Sequence, residues 1–314
     1  MRKSIFFLVV MLGLFGCKPG GTRLSPAEGF IDVPGGRVWY RVVGKGPRTP
    51  LVLLHGGPGA PSYYLKPLAA LGDERPVVFY DQLGCGRSDR PKDSALWTIP
   101  RFVEELAVVR KELNLTEVHI LGTSWGTMLA VEYMLTKPEG VRSLILASPA
   151  LSIPRWVRDA DTLRATLPES TQVAIRKHEK DGTTDSPEYQ AAMMQYYHLY
   201  LSRREPWGPD IDSTFSQLGV DVYSKMCGPS EFTVTGTLKD YDRTARLNEL
   251  RLPVLFTAGR YDEARPATVS YYQSLVPGAR IAIFEKSAHV TMQDEPEEYV
   301  RVVREFLHRV ENTP

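Results

Sequence analysis

The sequence predicts an α/β fold, a mostly parallel sheet flanked by helices, and three observations carry that prediction. Short apolar runs of strand length alternate with helical patterns in the first half of the chain. The alternation stops near residue 150 and resumes near residue 254. The interval 151–236 holds amphipathic stretches and no convincing buried strand. Because such alternation produces a parallel sheet wrapped by helices, we expect one α/β core, 29–150 and 237–314, split by a helical cap insertion.

The individual elements are predicted in chain order. Apolar residues on both sides of the turn at 34–36 predict a hairpin over 29–42. Short apolar runs predict buried strands at 51–54, 77–80, 118–121, 141–147, 254–258 and 281–284. Apolar residues spaced at helical period predict helices at 102–113, 125–135, 267–275 and 297–310, and an amphipathic stretch at 189–203 inside the insertion.

The N-terminus carries the pattern of an export signal. Residues 1–17 begin with Arg2 and Lys3 and continue with an apolar run that is too short to span a membrane. They end in LFGC, which resembles the lipobox of bacterial lipoproteins. The pattern predicts a signal peptide, a lipid on Cys17, a tether over 18–28 and an exported protein held at a membrane of the bacterial envelope. A plainly cleaved signal and an uncleaved anchor are the alternatives.

Composition and charge limit the classes of function. The chain has 38 Lys and Arg against 37 Asp and Glu, a net charge of +1, and no basic stripe, so binding to nucleic acid is not expected. No cluster of histidines and carboxylates has the spacing of metal ligands, so no metal or other cofactor is predicted. If Cys17 is lipidated, Cys85 and Cys227 remain. Free thiols are favoured there, although an exported protein could pair them.

The pentapeptide GTSWG at 122–126 fits the motif G-x-S-x-G. In this motif the serine lies on a sharp turn between a strand and a helix, and small residues must flank it to avoid clashes. A predicted strand precedes the pentapeptide and a predicted helix follows it. The sequence therefore predicts an α/β-hydrolase fold with Ser124 as nucleophile. The alternative, a serine that only caps the helix, would not require glycine on both sides.

The acid and the base are expected after the serine, in the order Asp or Glu and then His. His289 follows a predicted strand through a short loop, which is where a parallel sheet places its chemistry. We therefore expect His289 to be the base, while His308 should be a solvated residue of the last helix. Asp262 follows the preceding strand and should orient the imidazole. Glu263 is the alternative acid.

An oxyanion hole is predicted from two backbone N–H groups. One is that of Trp125, directly after the nucleophile, and the other lies in the loop HGGPG at 55–59. Gly57 is the expected donor and Gly56 the second choice. Pro58 cannot donate and should fix the loop, and a cis bond before it is one way to do so. A glycine-rich surface turn is the alternative interpretation of this loop.

Six stretches together resemble the proline iminopeptidase family of serine peptidases, which includes the tricorn-interacting aminopeptidase. They are HGGPG at 55–59, DQLGCGRS at 81–88, GTSWGT at 122–127, GPSEF at 228–232, GRYDE at 259–263 and SAH at 287–289. The resemblance implies a serine aminopeptidase that releases an N-terminal residue, proline above all, from short peptides through an acyl-enzyme. It further implies that Glu231 and Glu263 bind the free amino group of the substrate.

Three alternatives remain at this stage. Glu263 could merely extend a polar loop and Glu231 could cap a turn. An amino-acid amidase or an esterase acting on small acyl substrates is the second enzymatic hypothesis, although an esterase for neutral substrates would have no use for the two glutamates. A binding protein on a retired hydrolase scaffold is the hypothesis from another class. It would be expected to show a broken triad or missing oxyanion glycines, and neither is seen in the sequence.

Overall fold

A single twisted sheet organises residues 24–313, the part of the chain that the computed structural model describes. Its eight strands lie in the order β1-β2-β4-β3-β5-β6-β7-β8. The strands are β1 Ala27–Val33, β2 Gly36–Val43, β3 Leu51–Leu54, β4 Val77–Tyr80, β5 Val118–Thr123, β6 Val141–Ala147, β7 Val254–Gly259 and β8 Arg280–Phe284. The first two pairings are antiparallel and all later ones are parallel. The predicted fold class is confirmed.

Helices cover the sheet and fill the connections. They are α1 Ile99–Glu112, α2 Trp125–Leu135, α3 Ile153–Arg164, α4 Glu169–Asp181, α5 Pro187–Tyr200, α6 Pro209–Ser216, α7 Val220–Met226, α8 Pro266–Ser274, α9 Thr291–Asp294 and α10 Pro296–Asn312. Short 3₁₀ helices occupy Ser62–Asp73, Ser94–Leu96 and Thr244–Glu249. None of the helices in residues 24–313 is both long and apolar enough to cross a membrane.

The central strands are buried on both faces. Every residue of β3, LVLL, and of β4, VVFY, is buried, because helices cover both sides of the parallel part of the sheet. Continuous apolar runs in the sequence record this two-sided burial, so strands β3, β4 and β6 begin and end where they were predicted. In the antiparallel β1 the residues from Phe30 to Val33 alternate between exposed and buried, whereas β2 buries both Val38 and Trp39.

The helices α3 to α7 lie in the interval for which the sequence predicts an insertion; we call Ile153–Met226 the cap segment. Its interior is aromatic, and Tyr189 and Tyr196 pack against Phe232, which follows the segment in the chain. It contacts the core through α6, where the Tyr64 N–H donates to Thr214 Oγ1 at 3.2 Å. The domain limits 151–236, 29–150 and 237–314 stay predictions. The predicted signal 1–17 with Cys17, and the start of the tether 18–28, lie outside the described residues.

The last helix differs from expectation in one respect. His308 is not a solvated surface residue, since its Nε2 lies 2.6 Å from Glu74 Oε2 and the ring is partly buried. The reason is that α10 packs against the 3₁₀ helix Ser62–Asp73, which was not predicted. That helix contains Pro67, which removes a backbone donor and disturbs the periodic pattern by which helices are recognised.

Candidate active site

Ser124 lies on a strained turn between β5 and α2. Its backbone has φ of 52° and ψ of −120°, a conformation that few residues other than glycine adopt. A Cβ atom on Gly122 would lie 2.2 Å from the carbonyl oxygen of Gly126, and one on Gly126 would lie 2.2 Å from that of Leu54. The two glycines of the motif are therefore required by contact. Ser124 makes no side-chain hydrogen bond as a helix cap, so the turn is not explained by capping.

Asp262 and His289 come together from the loops after β7 and β8. His289 Nδ1 lies 2.8 Å from Asp262 Oδ1. The carboxylate is itself fixed, because it accepts from the Ala264 N–H at 2.7 Å and the Gly259 N–H at 3.3 Å. Glu263, the alternative acid, lies farther away, with Oε1 3.9 Å from the same Nδ1. The geometry thus favours Asp262 as the group that orients the imidazole.

Contacts with neighbouring residues fix the position of His289. Its backbone N–H donates to the Tyr200 carbonyl at 3.2 Å, and its carbonyl accepts from Ser148 Oγ at 2.7 Å. The edge of Trp156 packs against the ring at a centroid distance of 5.6 Å. His289 and Ser124 line one cavity of about 330 Å³ without a hydrogen bond to each other. Such a bond often tightens only when substrate is present.

The charges around His289 raise its pKa. Burial alone would lower it, but the Asp262 carboxylate, its hydrogen bond and the negative charges of Glu263 and Glu231 outweigh burial and raise the pKa to about 9. These carboxyl groups therefore favour the imidazolium form of His289. Because the imidazolium form cannot take the proton of Ser124, we expect activation of the serine to depend on the charge balance around His289.

This balance predicts how the reactivity of Ser124 depends on pH. We expect the rate of labelling by a fluorophosphonate to rise with pH through an apparent pKa of about 9, because only neutral His289 can activate the serine. In Glu263→Gln the midpoint should move to lower pH, since a negative neighbour of the imidazolium is lost. The control is Glu285→Gln, which removes an exposed carboxylate paired with Arg260. A midpoint near 6.5 in the wild type, or one that Glu263→Gln leaves unchanged, would contradict this assignment.

The loop after β3 presents the expected oxyanion donor. Gly57 has φ of +106° and precedes a cis peptide bond to Pro58. Within residues 24–313, neither the Gly57 N–H nor the Trp125 N–H donates a hydrogen bond, and both residues border the space beside Ser124. The Gly56 N–H already donates to the Tyr64 hydroxyl at 2.7 Å. Gly57 and Trp125 are thus the better pair of donors, and Gly56 is occupied.

Two residues that support this arrangement were missed by the sequence reasoning. The Trp125 indole donates to Gln82 Oε1 at 2.8 Å, and the Gln82 amide donates to the His55 carbonyl at 3.1 Å. Gln82 therefore links the loop that contains Gly57 to the indole of Trp125, the residue after the nucleophile. Tyr64 binds Gly56 from the other side and also contacts the Thr123 hydroxyl. Gln82 lies in the DQLGCGRS stretch at 81–88, which contributes to the family resemblance but gives no indication of what Gln82 contacts.

Cys85 and Cys227 are both free and buried. Burial and the neighbouring carboxylates raise the pKa of each thiol well above its usual range. Cys85 Sγ lies 3.5 Å from His55 Nε2, which also accepts from the Gln82 N–H at 2.8 Å. His55 is thus a structural residue of the loop, and the two cysteines are packing residues.

Two buried carboxyl groups stand beside the base. Both oxygens of Glu263 are buried and make no hydrogen bond of ordinary geometry among the described residues, although the Tyr196 hydroxyl lies near enough to lower the pKa of the carboxyl group. Glu231 Oε1 accepts only from the Tyr223 hydroxyl, at 2.9 Å. Burial raises the pKa of both groups, and their mutual repulsion raises that of Glu263 further, although His289 acts in the opposite direction. A buried carboxylate without a partner is costly, so this pair is suited to bind a cation.

No other arrangement in residues 24–313 suggests a metal centre, since no group of three or more His, Cys, Asp and Glu side chains is placed to hold an ion. The groups available for chemistry are a serine, an imidazole, two backbone donors and the carboxyl pair of Glu231 and Glu263. Together these groups can form and break an acyl-serine bond next to a bound cation.

Comparison with known proteins relates the whole described chain to characterised enzymes. The family model for the alpha/beta hydrolase fold matches residues 49–296. A proline iminopeptidase from Heyndrickxia coagulans is 50% identical over 287 residues, which are 90% of this chain and 99% of that protein. A proline iminopeptidase from Saccharolobus solfataricus is 37% identical over 294 residues, with 92% and 95% of the two chains covered.

Solved structures agree in fold. The crystal structure of a proline iminopeptidase from Mycobacterium smegmatis superposes with a TM-score of 0.83 at 35% identity, and covers 90% of this chain and 98% of that one. The crystal structure of VinJ superposes with a TM-score of 0.88 at 38% identity, covering 91% of this chain and all of the other. Esterases such as that from Exiguobacterium antarcticum, at 19% identity, share the fold alone.

Proposed function

This chain belongs to the α/β-hydrolase family and within it to the proline iminopeptidases, and from that premise we propose that it is a serine aminopeptidase that releases N-terminal proline from short peptides. The proposal assigns Ser124 as nucleophile, His289 as base, Asp262 as its orienting acid, and the N–H groups of Gly57 and Trp125 as oxyanion donors.

One observation carries the choice of an aminopeptidase over a general hydrolase. Glu263 is buried with both oxygens unpartnered among the described residues, and Glu231 borders the cavity that also holds Ser124. The only cation close to them is an imidazolium that must lose its proton for catalysis. An N-terminal ammonium group supplies the missing charge and the hydrogen-bond donors. An ester or a neutral amide would leave the two carboxyl groups unpaired.

Substrate binding also prepares the base. When an ammonium group lies between Glu231 and Glu263, it compensates the negative charges that help to raise the pKa of His289. The imidazole form then becomes more accessible, and His289 can take the proton of Ser124 as the hydroxyl attacks the carbonyl carbon. The Gly57 and Trp125 N–H groups stabilise the developing oxyanion, and Asp262 stabilises the imidazolium.

The same groups complete the reaction. His289 returns its proton to the nitrogen of the leaving peptide, the C–N bond breaks and prolyl-Ser124 remains. A water molecule that gives its proton to His289 then attacks the ester, and the serine leaves as proline is released. The carboxylate pair holds the amino group through both halves, so the acyl group cannot drift from the oxyanion donors.

Removal of either carboxylate tests the amine-binding role. We expect Glu231→Gln and Glu263→Gln to lower kcat/KM for a prolyl amide by about 10- to 100-fold, because a charge-assisted hydrogen bond contributes roughly 1.5–3 kcal/mol. The loss should disappear for the N-acetylated substrate, which has no charge to bind. The measurement is kcat/KM on both substrates, with Glu285→Gln as the control that removes an exposed charge.

An equal loss on both substrates would mean that the glutamates serve the structure only. Full activity of both variants on the free amine would remove the amine-binding proposal and favour the amidase or esterase alternative. Melting temperatures of the variants separate these outcomes from unfolding.

We further propose that the enzyme is a lipoprotein of the bacterial envelope, exported by its signal peptide and held at a membrane by a lipid on Cys17. The support is the sequence pattern of residues 1–17, a positive start, a short apolar run and LFGC before the tether. A single acyl chain anchors weakly, so stable attachment requires more than one chain on the same residue.

Fractionation tests this anchor. We expect the wild type to sediment with membranes and to be extracted by detergent but not by high salt, because a lipid holds it through apolar burial. Cys17→Ser should remain in the precursor form or become soluble, while Cys85→Ser serves as the control for loss of a cysteine. Recovery of the wild type wholly in the soluble fraction would contradict the proposed lipid anchor.

A further inference from the structure

Two cavities of very different size open from the nucleophile. The larger encloses about 330 Å³ and the smaller about 20 Å³. They share three residues, namely Gly57, Ser124 and Glu231. A substrate whose scissile bond lies at Ser124 must therefore place its two halves in spaces of unequal size.

The position of the base distinguishes the two halves, on the premise that the proposed function is correct. The leaving nitrogen must receive its proton from His289, and His289 lines only the larger cavity. The leaving group therefore extends into the larger cavity. The released residue lies on the other side, where Trp125, Trp156 and Leu238 leave room for a group no larger than a small ring.

The wall of the larger cavity is apolar. Its apolar lining residues come from α5 and the residue that follows it, from α6, from the loop after α6 and from the start of α7; they are Met193, Leu201, Ile211, Phe215, Leu218 and Val220. No lysine or arginine is among its lining residues in the described chain.

The wall reaches the outside of the protein. Phe215 and Val220 are 38% and 60% exposed, although both are large apolar residues at its edge. Neutral polar side chains such as Gln190 and Ser224 also line this cavity. An exposed apolar rim that continues into an apolar cavity indicates contact with an apolar ligand.

We infer that this cavity is a leaving-group subsite that selects peptides with a bulky apolar residue directly after the N-terminal proline. The apolar wall gains from covering an aromatic or branched side chain. A charged side chain in the same position would lose water without meeting an opposite charge. The subsite therefore takes a substrate class of the type prolyl-phenylalanine or prolyl-leucine within the wider set of prolyl peptides.

A panel of four substrates tests the subsite on the complete enzyme. The substrates are prolyl-phenylalanine amide, prolyl-leucine amide, prolyl-glycine amide and prolyl-glutamate amide, all with a free N-terminus and a blocked C-terminus. We expect kcat/KM for the phenylalanine and leucine substrates to exceed that for the glycine and glutamate substrates by about 10- to 100-fold, the range that pocket contacts of this kind supply.

A charge placed on the rim should change this preference. Val220→Lys should raise kcat/KM for prolyl-glutamate amide relative to prolyl-phenylalanine amide by at least about 5-fold, because it adds a partner for the carboxylate. Val220 is exposed at the start of α7, so the substitution does not disturb the core. The control is Val173→Lys on α4, an exposed valine that does not line the cavity, which should leave the ratio unchanged.

The outcomes separate the two proposals. Equal kcat/KM across the panel would overturn the proposed subsite. If cleavage still required an unblocked N-terminal proline, the aminopeptidase proposal would stand. A preference for glutamate or glycine in the wild type would overturn the subsite as well. Failure to cleave any member of the panel would instead remove the proposed function on which the subsite rests.

Discussion

Replacement of Ser124 by alanine should lower kcat by about 10⁴- to 10⁶-fold, the largest effect that we expect from any single substitution in this chain. The hydroxyl is the atom that becomes acylated, so no other group can take over the covalent step. Loss of a nucleophilic serine in a triad removes about as much as loss of the whole triad. What remains comes from the oxyanion donors and from substrate binding.

The fold should survive this change. Ser124 makes no capping hydrogen bond, and its strained backbone is set by the glycines on either side rather than by its side chain. The free energy of unfolding should therefore change by less than about 1 kcal/mol. The matched control is Ser274→Ala on the exposed face of α8, which should alter neither rate nor stability. Retention of more than about 1% of the wild-type rate by Ser124→Ala would exclude Ser124 as the nucleophile.

The central strands could be predicted from the sequence because a strand that is buried on both faces is a continuous run of apolar residues. Strands β3 and β4 are unbroken apolar runs, so their ends could be predicted to the residue. The turn at Ser124 could be predicted for a different reason, since two glycines there are required by contacts of 2.2 Å. Such requirements restrict the residue type at a position and thus appear in a single sequence.

Other parts of the site could not be predicted, because they depend on distances between segments far apart in the chain. Gln82 bridges Trp125 and His55, and its glutamine side chain gives no local signal of that role. Tyr64 lies in a 3₁₀ helix whose proline hides its pattern. The cavity is formed by apolar residues of the cap segment, where an apolar residue that lines a pocket looks the same in sequence as one in a core.

The carboxyl groups beside His289 link substrate binding to catalysis, because the same negative charges act on the substrate's amino group and on the imidazole. Asp262, Glu263 and Glu231 all raise the pKa of His289 and so favour its imidazolium form. A substrate with a positive charge compensates these negative charges next to the position where its carbonyl group meets Ser124. Selection for a free N-terminus and activation of the base therefore have the same physical cause, which is a buried pair of carboxyl groups without a permanent cation.

This account has a direct consequence for the substrate. Acetylation of the N-terminal proline removes the ammonium charge, and with it charge-assisted hydrogen bonds to both glutamates. If each contributes roughly 1.5–3 kcal/mol, kcat/KM should fall by about 10²- to 10⁴-fold. N-methylprolyl amide is the matched control, because it adds bulk to the nitrogen but keeps the positive charge and one N–H. Its kcat/KM should lie between those of the free and the acetylated substrate.

The most direct test of the central claim is therefore kcat/KM of the wild-type enzyme for prolyl amide, N-methylprolyl amide and N-acetylprolyl amide, measured side by side at one pH. We predict that the free amine is cleaved at least about 100-fold better than the acetylated form, with the methylated form in between. Cleavage of the acetylated substrate as efficiently as the free one would contradict the aminopeptidase account, because a carboxylate pair that reads the ammonium group could not ignore its loss.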